Sequence, residues 1–222
     1  MKYAIAFAAM LASTSASAAV ISSSVGGVPV GANVYESFDA IGPGGTTASG
    51  ITVSFSGTDA GTASLPNVSG KYAAPFVSGG NGTPFGNAQA DGKDVTQYLT
   101  TGIGRVTLEL GDNHQYFGIL WGSVDAYNTL AFYAGDMLLF TYSGSDVAAV
   151  ANGDQGAAGT YYVNINSDTA FNKVVASSSG YSFEFDNVAL AYKPITDVPE
   201  PGALALFGLG AIGLAAARRR KA

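Results

Sequence analysis

"RVTLELGDNHQYFGILWG", Arg105 to Gly122, decides how this chain is read. In its first part Val106, Leu108 and Leu110 alternate with Arg105, Thr107 and Glu109, the period-2 pattern of a half-buried strand. In its last part, Tyr116 to Gly122, apolar residues occupy both parities, which suits a central strand covered on two faces. Between them "GDNHQ" reads as a turn joining two strands, with His114 at its solvated tip.

The same alternation recurs outward from this stretch. Ile51, Val53 and Phe55 oppose Thr52, Ser54 and Ser56. Tyr161, Val163 and Ile165 oppose Tyr162, Asn164 and Asn166. Tyr181, Phe183 and Phe185 oppose Ser182 and Glu184, giving each strand one wet face. "MLLFTYSG" is apolar on both faces and reads as a second central strand. After Phe185 the apolar parity flips to Val188, Leu190 and Tyr192, which requires a bulge or break near Asp186-Asn187. "GKDVTQYLTTG" is the one place in the body for a short helix. "IGPGGTTASG" and "PFVSGGNGTPFGNAQADGKD" read as long surface loops.

Many short strands between Gly-, Asn-, Asp- and Ser-rich turns predict a mainly β protein: an antiparallel β-sandwich, jelly-roll-like. A β-solenoid needs a short internal period, and none is present.

The 222 residues include 30 Gly, one His, one Trp and no Cys. Lacking Cys, the chain has no thiolate catalysis, Cys-ligated zinc or disulfide. Hydrophobic residues make up 47%, enough for a core.

The two ends differ from the body. Met1-Lys2, the apolar run Ala4 to Ala12 and the small residues that follow, with Ala16 and Ala18 in A-x-A register, form a secretory signal peptide over residues 1–19, cut near Ala18 or Ala19. Residues 20–192 form the exported β-sandwich body. Residues 193–201, "KPITDVPEP", are an extended linker. Residues 202–217 carry no charge and span about 24 Å as a helix, a marginal transmembrane helix against a hydrocarbon core of about 30 Å. Arg218, Arg219 and Arg220 open a basic tail, 218–222, that acts as a stop-transfer signal on the cytoplasmic side. Five of the ten cations sit in these two ends, while all sixteen acids lie between Glu36 and Glu200. The segment between the ends therefore holds five cations against sixteen acids, a net charge of −11. That exterior disfavours nucleic acid as a partner and is compatible with divalent cations.

Pro199-Glu200-Pro201, the short hydrophobic helix and the arginine cluster, in that order at the C-terminus, resemble the PEP-CTERM sorting signal of Gram-negative bacteria. The resemblance covers about 25 residues. It implies export, anchoring in the inner membrane, and processing by an exosortase, a cysteine-dependent transpeptidase-like enzyme. Release to the cell surface or extracellular matrix follows. By that resemblance Pro199, Glu200 and Pro201 are the recognition residues.

Chemistry in the body is sparse. A Ser-His-Asp site would have to use His114, and no G-x-S-x-G is present. Glu184 and Asp186, two residues apart, are a carboxylate pair that reads as surface decoration. "YFGILWGSVDAYN" is similar to a stretch shared by one group of exosortase-dependent surface proteins. Trp121, Tyr127 and Asn128 there form a candidate glycan platform, since aromatic faces and amides suit sugar rings. The competing reading makes Trp121 a core anchor, with Asp125 and Asn128 closing the next turn. Asp186, re-aimed by the bulge, meets Glu36 or Asp39 in a candidate calcium site, a weak similarity to sugar-binding jelly-rolls. No other cofactor is expected. The leading expectation is a non-enzymatic exported surface or matrix protein beside extracellular polysaccharide. The alternatives are a carbohydrate-binding module with a defined glycan site or, behind it, a secreted glycan-active enzyme.

Overall fold

The computed structural model describes residues 19–29 and 31–195. Thirteen strands lie within them. The early ones are β1 (Ala19–Ser24), β2 (Val34–Glu36), β3 (Gly45–Thr46), β4 (Thr52–Thr58), β5 (Gly61–Ala63), β6 (Phe76–Val77), β7 (Gly92–Lys93) and β8 (Tyr98–Thr100). The later ones are β9 (Ile103–Gly122), β10 (Asn128–Ala134), β11 (Met137–Ser143), β12 (Tyr161–Ser178) and β13 (Glu184–Ala191). Eleven belong to one large antiparallel sheet, and β6 and β7 form a separate two-stranded ribbon. The protein is mainly β.

"GDNHQ" is not a turn. β9 runs through it unbroken for 20 residues beside the 18-residue β12. The pairing of these two strands slips on either side of Phe171, which faces His114. The slip has a physical cause. Val106, Leu108 and Leu110 point inward before it, and Phe117, Ile119 and Trp121 after it, so the inward parity changes. An irregularity absorbs that change without ending the strand. His114 is consequently buried, its ring stacked on Tyr192 with centroids 5.0 Å apart. Burial lowers its pKa.

The two long strands divide the sheet into halves. The first half of β9 pairs with β4, and the second with β13. The first half of β12 pairs with β1, and the second with β10. Inward side chains from both halves share one core, where Phe117 meets the edge of Phe132 at 5.4 Å. The predicted bulge in β13 is present: its register against β9 shifts between Asp186 and Ala189, with Asn187 at φ 53°. Val188 and Leu190 re-enter the core beyond it.

Three expectations change. "MLLFTYSG" forms β11, an edge strand rather than a central one, with Met137 and Leu138 exposed, because it pairs only with β10. "GKDVTQYLTTG" holds no helix and contributes β7 and β8. The long segment 64–97 is a cover rather than a surface loop. Val77 packs on Leu120 and Tyr162, and Asn81, Asn87 and Asp94 are buried. The sheet face beneath it is therefore dry, and Tyr162, Ser182, Glu184 and Asp186 are buried despite their alternating pattern.

The chain leaves the sheet through Ile195, whose N–H donates to Asn166 Oδ1 at 2.8 Å and whose carbonyl accepts from Asn166 Nδ2 at 3.1 Å. The expected signal peptide up to Ala18, the rest of the linker, the transmembrane helix 202–217 and the tail 218–222 lie outside the described residues. Among the described residues no helix is long and apolar enough to cross a membrane.

Candidate functional site

A cavity of about 190 Å³ opens where β9 ends and β13 begins. Tyr72, Asp125, Tyr127, Tyr181 and Glu184 line it, with the amides of Asn152 and Gln155.

Asn128 holds its frame together. Fully buried, it accepts the Asp125 N–H at Oδ1 (2.9 Å). Its own N–H donates to the Asp125 carbonyl at 3.0 Å. Its Nδ2 reaches Ser178 Oγ (3.1 Å) and the Ser182 carbonyl (3.2 Å). The turn after β9 is thereby tied to the strand that delivers Glu184. Glycines set the position of Asp125. A Cβ on Gly144 would lie 2.1 Å from the Asp125 carbonyl, and one on Gly153 would lie 2.8 Å from both carboxylate oxygens. No larger residue fits either place without moving Asp125.

Tyr127 is half-exposed, and its hydroxyl donates to the Tyr181 carbonyl at 2.8 Å. Its pKa is pushed up to about 12, by burial first and then by Asp125. The Tyr181 hydroxyl donates to Asp59 at 2.6 Å, and Lys71 pairs with the same carboxylate at 3.2 Å.

Glu184 forms the floor. Phe183 and Phe185 point into the core, so Glu184 takes the opposite face, beneath the cover. Only 2% exposed, its Oε1 accepts from the Ala73 N–H at 3.0 Å and from the Ser182 hydroxyl. Oε2 has no partner among the described residues, and the nearby Ser123 Oγ does not close a hydrogen bond to it. Burial pushes the Glu184 carboxyl up to about 7, against the pull of those donors. Burial also raises Asp125. The cavity thus combines aromatic walls, amides and two carboxyl groups, Asp125 and Glu184, both shifted upward by burial.

The structure separates the expected glycan platform. Trp121 is fully buried and stacks on Phe183, and Asn128 is an internal staple. Only Tyr127 reaches the cavity. The competing reading, Trp121 as core anchor with Asp125 and Asn128 closing the turn, is the arrangement found. The expected cation ligands also have other tasks. Glu36 accepts from the Phe38 N–H (2.9 Å) and Ser49 (2.6 Å), and Asp39 from Ser37 (2.8 Å) and the Gln97 N–H (3.2 Å). Among the described residues no three acidic or histidine side chains converge as metal ligands. Glu184 and Asp186 are both buried rather than surface decoration. Sequence reasoning missed Tyr72, Tyr181, Asn152 and Gln155 as partners of Tyr127. They come from segments far apart in the chain, and no local pattern joins them.

Pro199, Glu200, Pro201 and Arg218 to Arg220 lie outside the described residues. Neither a curated protein nor a solved structure matches the chain. Residues 197–221 match the PEP-CTERM protein-sorting motif, and the chain carries the signature of an exported protein sorted by an exosortase.

Proposed function

We propose that the processed body is a non-enzymatic surface or matrix protein that associates with extracellular polysaccharide, its jelly-roll-like sandwich presenting one saccharide site. The observation that supports this is the cavity walled by Tyr72, Tyr127 and Tyr181 with Asp125 and Glu184 inside it. Tyrosines offer flat faces for the C–H side of a sugar ring and hydroxyls for its rim. Carboxylates and amides accept and donate to its hydroxyls. The volume falls below the ~300–1,000 Å³ of clefts for drug-sized ligands, which suits one sugar unit or a chain end.

In this reading the exosortase holds the chain at Pro199-Glu200-Pro201, in the inner membrane, and releases the body outside. A glycan array and binding to isolated matrix polysaccharide, with the processed protein and its Tyr127→Ala variant, test the reading. Loss of a wild-type signal on Tyr127→Ala supports a defined glycan site. No signal on any glycan refutes it.

Glu184 favours a second reading, a glycan-active enzyme. A carboxyl near pKa 7 suits a general acid. A hydrolysis screen decides it: turnover abolished by Glu184→Gln establishes the enzyme, and no turnover removes it.

A further inference from the structure

A second polar cluster lies beneath the cover, apart from the tyrosine cavity. Asp186 on β13 and Tyr162 on β12 both stand opposite Leu120 on β9, so the three side chains share one face of the sheet. Leu120 and Tyr162 pack against Val77 of the β6–β7 ribbon. Asp94 directly follows β7, and its N–H is tied to the Pro75 carbonyl at 2.8 Å. The ribbon thus brings Asp94 to the same buried layer as Asp186.

Both carboxyl groups are fully buried. Asp94 Oδ1 is saturated by Asn87 Nδ2 (2.8 Å), the Thr96 N–H (2.9 Å) and Thr96 Oγ1 (2.7 Å). Asp94 Oδ2 and both Asp186 oxygens close no hydrogen bond to a donor among the described residues, and the two carboxyl groups lie within reach of each other. The next residue, Asn187, sits at the bulge, fully buried, with neither side-chain amide atom partnered. The ion pairs among the described residues use Lys71 and Lys173 with Asp59, Glu109 and Asp136, so no basic side chain neutralises this cluster. Asp39 adds further negative potential at Asp186.

Two carboxyl groups in one dry layer either share a proton or ionise around a cation set between them. The acceptors on offer are all oxygens, with no imidazole or thiolate. That set selects a hard ion over a transition metal. Flexible, mixed carboxylate and amide oxygens fit calcium better than the strict octahedron magnesium requires.

We propose that Asp94 and Asp186, with neutral oxygens that include the Asn187 side chain, bind one calcium ion that pins the 64–97 cover to the sheet. Two carboxylates make a low-charge site, which belongs with the weak, millimolar class of extracellular modules. An exported protein meets calcium at such levels. The same ion indirectly braces the cavity, since Ala73 of the cover donates to Glu184.

The test uses the full chain, stripped with chelator and then titrated with calcium chloride, with magnesium chloride as control. The expected result is a melting temperature raised by several degrees by millimolar calcium and much less by magnesium. That rise is lost in Asp186→Asn and in Asp94→Asn. Because those variants can fail to fold, terbium luminescence on the wild type gives a second readout. Terbium bound here is sensitised by the neighbouring Tyr162, and calcium displaces it. A wild-type protein that responds neither to calcium nor to terbium overturns the proposal. So does a calcium response that survives in a folded Asp94→Asn/Asp186→Asn double variant.

Discussion

Trp121 stacks on Phe183 with ring centroids 4.2 Å apart and planes 20° from parallel. The contact locks the end of β9 to the entry of β13 and sends Glu184 to the opposite face. Trp121→Ala should therefore cost about 3–5 kcal/mol of folding stability, measured by denaturant unfolding. Any loss of glycan binding in this variant should track unfolding. A stable Trp121→Ala protein with selectively lost binding contradicts this placement.

Tyr127→Ala should behave in the opposite way. The ring is half-exposed and lines the cavity, so folding changes little while sugar contact is removed. An aromatic contact of about 0.5–1.5 kcal/mol corresponds to a roughly 2- to 10-fold weaker glycan affinity, read by calorimetry.

Glu184 makes stability depend on pH. Its carboxyl sits at about 7 in the folded protein against an ordinary 4.5, so the folded form holds the proton more tightly. The penalty is absent below pH 4.5, grows as pH rises towards 7, and is complete above it. It amounts to about 3 kcal/mol at most. Burial and the charge of Asp94 shift Asp186 upward as well, in the same sense. Buried His114, its pKa lowered, acts in the opposite sense over part of this range, so the test is a comparison: between pH 5 and 8 the melting temperature of the wild type should fall relative to that of Glu184→Gln. Equal slopes rule out this role for Glu184.

Gly104 faces Gly57 across the β4–β9 pair. A Cβ at Gly104 would sit 2.2 Å from the Ser56 carbonyl and 2.9 Å from Gly57 Cα. Both neighbours are backbone and cannot swing away, so Gly104→Ala should destabilise by about 1–3 kcal/mol. Thermal unfolding checks it.

Processing offers a test independent of the body. In a host with an active exosortase, the surface form should lack Arg218 to Arg220 by intact mass. Recovery of the full tail from the surface fraction argues against processing at the motif.

Much of the core was legible because it follows local alternation. Val106, Leu108 and Leu110, then Val163 and Ile165, then Phe183 and Phe185 face inward as their period dictates. Even the β13 bulge was legible, since a parity flip within eight residues leaves the chain no other geometry. His114 was misread because "GDNHQ" has turn composition; only pairing along β12 carries β9 straight through it. Glu184 and Asp186 were misread as wet because alternation shows which face a residue takes and not what covers that face.

What the sequence by itself determined is strand periodicity, the bulge and the C-terminal sorting motif. Each is written in consecutive residues and needs no distant partner. The tertiary structure alone decided the cavity and the buried carboxyl layer. Tyr72 and Tyr127, or Asp94 and Asp186, meet only when the 64–97 segment folds back over the sheet. That long-range closure removes water from carboxyls that the local pattern places on a polar face, and their altered chemistry follows from the lost solvation.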